Sequence, residues 1–256
     1  MDDTVANASL TVNQPVLFID FDGTISKEDV IDRILEEFAD DRWQESEKRW
    51  VAGEIGSRQC LTEQFDLVRA TPERLTELID SIELDEGLLP LLKKCAESHM
   101  PVHIVSDGLD FYISRLLDRE FRRNNVTFAP VVWANRLAQS GPDSWKIEFP
   151  FFPTHCPHGC ATCKPAVMRE VHHLAVPSIY IGDGLSDRFA AKSADLVFAK
   201  DKLRIFCAEN AINHVDYSHL SDVTDIISLE AIRLTSARSS IQGESVIGRI
   251  QESYSG

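Results

Sequence analysis

Short, largely apolar runs recur along the chain, and each has the length of a buried strand. The runs cover residues 16–19, 102–105, 178–181 and 196–199. Runs without hydrophobic–polar alternation are typical of strands that are buried on both faces of a parallel sheet. The first three runs end in polar, glycine-containing segments, and helical patterns lie between them. This pattern predicts an open α/β fold with a parallel sheet, whose ligands bind at the carboxyl ends of the strands.

A different pattern fills residues 26–98, which are rich in charges and contain no convincing strand. Ile31, Ile34, Leu35 and Phe38 follow the i, i+3, i+4, i+7 spacing of an amphipathic helix. We interpret this block as an all-helical cap of about four helices, inserted between the first and second strands.

The remaining segments complete the predicted organisation. Residues 126–163 combine alternating apolar residues with prolines, which predicts a small hairpin at a sheet edge. The core domain then comprises residues 1–25 and 99–235, and residues 236–256 are expected to form a flexible C-terminal tail.

Composition and charge narrow the class of protein. The 256 residues are 43% hydrophobic, and 26 Lys and Arg oppose 41 Asp and Glu, for a formal net charge of −15. Such a charge argues against binding of nucleic acid or an anionic membrane, although a local cation would still allow a small phosphate ester. No apolar run approaches the roughly 20 residues of a membrane span. The polar, acidic start of the chain is unlike a signal peptide, so we expect a cytoplasmic protein.

The first candidate for chemistry is the D-F-D-G-T segment at Asp20–Thr24. Two carboxylates at i and i+2, where a strand opens into a loop, can converge on one ligand, and Gly23 permits a sharp turn. One aspartate can serve as a covalent phosphoryl nucleophile, and the other can act as general acid and base. The alternative is an ordinary Asp-Gly turn after a strand.

Three further polar groups follow predicted strands or begin a helix. Ser106-Asp107-Gly108 can form a phosphate cradle, and Lys164 can neutralise a transferring phosphoryl group. Asp183 and Asp187, in G-D-G-L-S-D, suit a hard cation such as Mg²⁺. Each group alone has a purely structural alternative: a turn, a helix cap, an exposed lysine or an Asx turn. Together they favour a phosphate-processing site.

These four motifs together resemble those of the haloacid dehalogenase-like phosphatase superfamily, and the helical insertion is similar to the cap of its phosphoserine phosphatase branch. The resemblance implies a Rossmann-like core with a mobile cap. It implies that Asp20 is the nucleophile, Asp22 the general acid and base, and Lys164 a catalytic cation. Asp187 would support the metal site or orient Lys164. The implied Mg²⁺ site comprises Asp20, Asp22, Asp183 and Asp187, and the implied phosphate- or substrate-binding residues are Ser106, Asp107, Gly108, Thr24, Lys164 and Arg58.

The segment that runs into Lys164 is unusually rich in cysteine. It resembles the branch that contains methionine-salvage phosphatases acting on 2-hydroxy-3-keto-5-methylthiopentenyl-1-phosphate. Phosphocholine and phosphoethanolamine phosphatases share a related feature, and phosphoserine and pyridoxal phosphate are further alternative substrates. A phosphotransferase, or a non-enzymatic metal-binding module, is the competing class of protein.

The same cysteines suggest a structural zinc site. Cys156, Cys160 and Cys163, with His158 or His155, offer soft ligands at plausible zinc spacing. The alternative is a reduced loop that positions Lys164.

Candidate substrate-selecting residues lie in the cap, where a lid would contact the leaving group. Glu28, Asp29, Asp32, Glu36 and Glu37 read mainly as an exposed acidic face. The expected partner is a small phosphorylated metabolite, and the chain is expected to be a monomer or a homodimer. The candidates for lining the pocket are Lys27, Glu28, Trp43, Arg49, Trp50 and Arg58.

Overall fold

The computed structural model describes residues 14–171, 176–231, 233 and 234, so the predicted tail at 236–256 lies outside the described residues. A seven-stranded sheet forms the centre, in the order β4-β3-β2-β1-β5-β6-β7. All neighbouring strands are parallel except β3 and β4, which form an antiparallel hairpin. The α/β class, the parallel sheet and the hairpin before Lys164 are therefore confirmed. The strands are β1 (Val16–Ile19), β2 (Val102–Leu109), β3 (Val131–Gln139), β4 (Trp145–Glu148), β5 (Ser178–Gly182), β6 (Leu196–Ala199) and β7 (His214–Asp216).

Five helices lie between β1 and β2, one more than the predicted four. They are α1 (Val30–Phe38), α2 (Trp43–Val51), α3 (Ser57–Phe65), α4 (Pro72–Ser81) and α5 (Leu88–Glu97). Where the chain enters and leaves α1–α4, Ser26 and Leu84 form an antiparallel bridge. This bridge is consistent with an inserted helical unit, and the cap boundaries at 26 and 98 stay a prediction.

The helices after β2 alternate with the remaining strands. They are α6 (Asp110–Asn124), α7 (Lys164–Val171), α8 (Arg188–Ala191), α9 (Asp201–Glu209) and a last helix, α10, that includes residues 220–231. A short 3₁₀ turn, Leu185–Asp187, precedes α8.

Local sequence explains how the cap helices begin and which faces they bury. The side chain of Asp29 caps α1 by accepting a hydrogen bond from the backbone N–H of Asp32, at 3.0 Å. Thr71 caps α4, and Pro72 occupies its first turn. The apolar face predicted for α1 is buried in the main core, together with residues of β1, β2 and β5.

Two details of the sheet bear on the site. Strand β2 extends beyond its apolar run through Ser106, and its register with β3 shifts between Val105 and Leu109. The hairpin buries Trp145, whose indole N–H donates to the carbonyl of Ala70 at 2.9 Å. The hairpin therefore packs under the connection between α3 and α4. Within the described ranges, no helix is both long and apolar enough to cross a bilayer.

Candidate active site

The carboxyl ends of β1, β2 and β5 converge on one cavity of about 390 Å³. Asp20 follows β1, Ser106 lies near the end of β2, and Asp183 follows β5. All three line the cavity, together with Asp22 and Gly108. The volume falls in the range of small-molecule sites. The sheet thus brings together the carboxylates and the hydroxyl that the sequence motifs single out.

Asp20 and Lys164 form a buried ion pair, with Lys164 Nζ 2.8 Å from Asp20 Oδ2. Burial and the nearby Asp187 carboxylate raise the pKa of Asp20 well above its ordinary value, and Lys164 opposes that rise. Burial would lower the pKa of Lys164, but Asp187 and Asp20 outweigh burial and hold it above its ordinary value. Lys164 therefore carries a positive charge beside Asp20 and favours the ionised form of that carboxylate.

Asp187 is fully buried, and its two carboxylate oxygens accept four hydrogen bonds. Lys164 Nζ and the Tyr180 hydroxyl each lie 2.5 Å from Oδ1. The backbone N–H groups of Asp183 and Gly184 each donate to Oδ2 at 3.0 Å. A carboxylate with both oxygens engaged in this way is suited to orient Lys164 rather than to bind a metal directly.

Asp22 lies in different surroundings, because neutral groups donate to it. The Tyr112 hydroxyl donates to Asp22 Oδ2 at 2.6 Å, and the Ser106 hydroxyl donates to the same oxygen at 3.2 Å. The backbone N–H of Val30 donates to Oδ1 at 3.2 Å. Burial raises the pKa of Asp22 to about 6, although these hydrogen bonds lower it. A carboxyl group with such a pKa can give and take a proton near neutral pH.

Asp183 and Asp20 offer carboxylates suited to a divalent cation, and Asp187 lies beside them. One oxygen from each of Asp20, Asp183 and Asp187 lies within 4.8 Å of the others. Burial and Asp187 raise the pKa of Asp183 to about 7. The Thr24 hydroxyl donates to Asp183 Oδ1 at 2.8 Å, and Gly23, with φ of 70°, makes the turn that brings Thr24 there. Crowded, desolvated carboxylates supply the oxygen ligands that a hard cation such as Mg²⁺ prefers.

The other residues of the phosphate motif shape the cavity edge. The Ser106 hydroxyl accepts a hydrogen bond from the Gly108 N–H at 2.9 Å. Asp107 lines the cavity, but its carboxylate accepts a hydrogen bond from the Thr162 N–H at 2.8 Å. Asp107 therefore holds the segment before Lys164 against β2.

Of the cap residues predicted to line the substrate pocket, one lies at the cavity and the others lie elsewhere. Trp50 lines the cavity. Arg58, expected to bind substrate, is not among the described residues that line it, because its guanidinium stacks 3.7 Å from the ring centre of Phe152. Arg49 pairs with Glu63 at 2.9 Å. The remaining candidates also lie away from the cavity lining: Lys27 pairs with Glu83 and Glu86, Glu28 with Arg33, and Trp43 packs on the core.

Three acidic residues of the cap line the cavity, and two of them also belong to the exposed face that the sequence predicts. They are Asp29, Asp32 and Glu47. Among the described lysines, Lys202 at the start of α9 lines the same cavity. The part of the lining that the cap contributes therefore carries mainly acidic charge.

The cysteine loop brings three thiols together but not the predicted histidine. The sulphur atoms of Cys156, Cys160 and Cys163 lie within 4.8 Å of one another. The ring of His158 stacks on Phe189 instead, with the ring centres 3.7 Å apart. The four-residue zinc set expected from the sequence is therefore not assembled in the described part of the chain, because aromatic stacking draws His158 away.

Two tyrosines contact the site, and motif spacing does not single them out as functional. Tyr112 donates to Asp22, and Tyr180 donates to Asp187. A fully buried tyrosine inside an apolar strand, as at Tyr180 in β5, needs a hydrogen-bond partner and is the signal that sequence reasoning could have used.

A parallel sheet with an inserted helical unit, and this aspartate–lysine constellation at its carboxyl edge, define a phosphoryl-processing α/β hydrolase. Residues 17–192 match the haloacid dehalogenase-like hydrolase family, so the chain belongs to that family. Within the family, the chain is a phosphoric monoester hydrolase.

Curated relatives of the chain are named as phosphatases, and solved structures share its fold. The chain is 29% identical to a 2-hydroxy-3-keto-5-methylthiopentenyl-1-phosphate phosphatase of Bacillus pumilus (strain SAFR-032) over 83% of the chain and 90% of the relative. It is 30% identical to the protein of that name in Geobacillus kaustophilus (strain HTA426), over 84% and 96% of the two chains. A solved structure of a phospho-aspartyl intermediate analogue of phosphoserine phosphatase shares the fold, with a TM-score of 0.62, 19% identity and coverage of 83% and 98%.

Proposed function

We propose that the chain is a Mg²⁺-dependent phosphatase of a small phosphorylated metabolite and that it acts through an aspartyl-phosphate on Asp20. The observation that carries the proposal is the position of Asp20. It lies at the cavity, pairs with Lys164, and is close to the carboxylates of Asp183 and Asp187. Asp22, the proposed proton donor, lines the same cavity.

Asp20, Asp183 and the backbone carbonyl of Asp22 are the proposed ligands of Mg²⁺. When bound, the cation supplies positive charge that offsets the repulsion between the carboxylate nucleophile and the phosphate ester. Asp187 then serves as a positioning residue for Lys164, because its oxygens already accept four hydrogen bonds.

In the first step, a carboxylate oxygen of Asp20 attacks phosphorus, and the bond from phosphorus to the ester oxygen breaks. Asp22 donates its proton to the departing oxygen and releases the alcohol. Lys164 and the Ser106 hydroxyl hold the phosphoryl oxygens during transfer. The pKa of about 6 for Asp22 makes the protonated form accessible near neutral pH.

In the second step, Asp22 accepts a proton from a water molecule as that water attacks phosphorus. The bond between phosphorus and the Asp20 oxygen breaks, which releases inorganic phosphate and restores both aspartates. A phosphotransferase would use the same intermediate and pass the phosphoryl group to another alcohol.

The first candidate substrate is 2-hydroxy-3-keto-5-methylthiopentenyl-1-phosphate, the methionine-salvage ester. It is supported by the names of the relatives, which are similar over more than four fifths of this chain.

A second candidate class, phosphocholine and phosphoethanolamine, is favoured by the charge of the cavity wall. Asp29, Asp32 and Glu47 offer carboxylates, and Trp50 offers an aromatic face, to an ammonium group. No arginine is among the described residues that line the cavity, which disfavours phosphoserine because its carboxylate would lack a bidentate partner.

The test is phosphate release from a panel of esters, with Mg²⁺ and with EDTA. The panel contains the methionine-salvage ester, phosphocholine, its neutral carbon isostere 3,3-dimethylbutyl phosphate, phosphoserine and pyridoxal phosphate. We expect Mg²⁺-dependent release that is lost in Asp20→Asn. A preference for phosphocholine over its isostere supports the second candidate, and acceleration of substrate consumption by added alcohols supports phosphotransfer. Turnover in EDTA, or full activity of Asp20→Asn, contradicts the proposed chemistry.

A further inference from the structure

We propose that Cys156, Cys160 and Cys163 form a binding site for a thiophilic divalent cation such as Zn²⁺, separate from the magnesium site, with water as its fourth ligand. The bound cation would fix the loop that precedes Lys164 against the cap. The proposed phosphatase reaction does not use these thiols, and none of the three lines the cavity.

The spacing of the sulphur atoms fits such an ion. All three lie within 4.8 Å of one another. Tetrahedral zinc with bonds of about 2.3 Å to sulphur places its ligands about 3.8 Å apart. The thiols therefore need to approach one another by about 1 Å at most. The other described cysteines, Cys60, Cys95 and Cys207, are buried elsewhere and belong to no such group.

The three sulphur atoms are close enough to share one ion, and Cys160 and Cys163 are buried while Cys156 is partly exposed. Cysteine binds such a cation as a thiolate, so metal binding would release protons from these residues.

The loop held by these thiols contacts both the cap and the core. The Gly159 carbonyl accepts a hydrogen bond from the Arg58 N–H at 3.0 Å, and the Ala161 N–H donates to the Ser57 hydroxyl at 2.9 Å. On the core side, the Thr162 N–H donates to Asp107, two residues before Lys164. A cation on the three thiols would make this connection rigid.

The experiment measures zinc and magnesium in protein that is purified without added zinc, together with the absorption of the cobalt-substituted protein. We expect about one zinc per chain and an intense thiolate-to-cobalt charge-transfer band. Cys156→Ser and Cys160→Ser should lose both signals. Cys207→Ser, which removes a buried thiol outside the cluster, and Asp183→Asn, which alters the magnesium site, should retain both.

Several results would overturn the inference. The inference is wrong if wild-type protein stays largely metal-free after equilibration with zinc. It is also wrong if cobalt binds without a charge-transfer band. Loss of zinc in Asp183→Asn, but not in the cysteine variants, assigns the metal to the carboxylates. If the cysteine variants fail to fold, alkylation of metal-free wild-type protein decides the matter. Zinc must then protect Cys156, Cys160 and Cys163 from the reagent, and equal labelling with and without zinc rejects the site.

Discussion

Asp20 and Asp22 are two residues apart, yet their neighbours suit them to opposite tasks. Asp20 faces a buried cation, because Lys164 Nζ lies 2.8 Å away. Asp22 accepts hydrogen bonds from the neutral hydroxyls of Tyr112 and Ser106. A carboxylate paired with a lysine stays available as a nucleophile, whereas one surrounded by neutral donors can exchange a proton. The division of roles therefore depends on partners contributed by β2, α6 and α7.

Substitution of Asp22 tests this division most directly. Asp22→Asn keeps the size of the side chain but cannot transfer a proton, so we expect turnover to fall by about 10²- to 10⁴-fold. Hydrolysis of the aspartyl-phosphate should suffer as well, so quenched reactions should contain phosphorylated protein, measured by intact mass. The unfolding midpoint serves as a control for folding. Turnover at the wild-type rate would exclude the proposed role of Asp22.

Tyr112 supports a second prediction at the same scale. Its hydroxyl lowers the pKa of Asp22, which burial has raised to about 6. Tyr112→Phe removes that hydrogen bond, so the pKa of Asp22 should rise. Because the first step needs protonated Asp22, the alkaline limb of the kcat/KM profile should move to higher pH.

Tyr217→Phe is the matched control, because the Tyr217 hydroxyl donates to the Gly182 carbonyl at 3.3 Å rather than to Asp22. Its profile should keep the wild-type alkaline limb. An unchanged limb in Tyr112→Phe, with catalysis otherwise intact, would show that Asp22 is not the group that titrates.

At the scale of elements, the connections between helices and strands determine how the cap meets the core. Gly56, just before α3, packs directly on the backbone of Gly159 in the cysteine loop. A Cβ atom at position 56 would collide with the Gly159 carbonyl, which no side-chain rotation can relieve. This contact holds the start of α3 against the segment that leads into Lys164.

We therefore expect Gly56→Ala to shift both the cap and the loop. The free energy of unfolding should fall by about 1 to 3 kcal/mol, as in overpacked cores, and kcat and KM should change together. Gly141→Ala, in the turn of the hairpin, is the control, because its Cβ would meet only the movable side chain of Ser144. Wild-type stability and kinetics in Gly56→Ala would contradict a cap–loop contact of this kind.

The elements also show what local patterns can and cannot predict. Apolar runs predict β1, β5 and β6 because an unbroken run of apolar residues is visible in the local sequence alone. Strand β7, at His214–Asp216, is too short and too polar for such a signal. The sequence predicts that Asp29 and Asp32 lie on an exposed face, and they do, but a local pattern cannot show that this face also lines the cavity.

At the scale of the whole molecule, the motif residues come together because parallel strands share one carboxyl edge, while their catalytic roles stay predictions. The sheet places β2, β1 and β5 side by side. This order alone brings together Ser106, Asp20 and Asp183, although they are distant in sequence. The partners of Arg58 and His158 could not be predicted, because Phe152 and Phe189 meet them only through tertiary contacts. The cytoplasmic location and the oligomeric state stay predictions.

The accumulation of buried carboxylates leads to a prediction for the whole protein, the dependence of its stability on pH and Mg²⁺. Burial raises the pKa of Asp22 to about 6 and that of Asp183 to about 7. Unfolded aspartates titrate near 4. The metal-free folded state therefore holds protons that the unfolded state releases. The stabilisation that these carboxyl groups contribute is fully present below pH about 4. It is lost as the pH rises through about 7.

We expect the thermal midpoint of metal-free protein to fall between pH about 5.5 and pH about 8, by on the order of 5 °C. Saturating Mg²⁺ should raise the midpoint more at the higher pH, because it binds the ionised carboxylates that destabilise the apo fold. Asp183→Asn removes one of the raised pKa values, so its apo midpoint should depend less on pH and respond less to Mg²⁺. Residues far from the site titrate alike in both proteins, so their effect cancels when the midpoint of the variant is subtracted from that of the wild type. A wild-type midpoint that depends on pH as the variant's does, or a Mg²⁺ effect of equal size in both, would show that the carboxylate cluster is not the cation site.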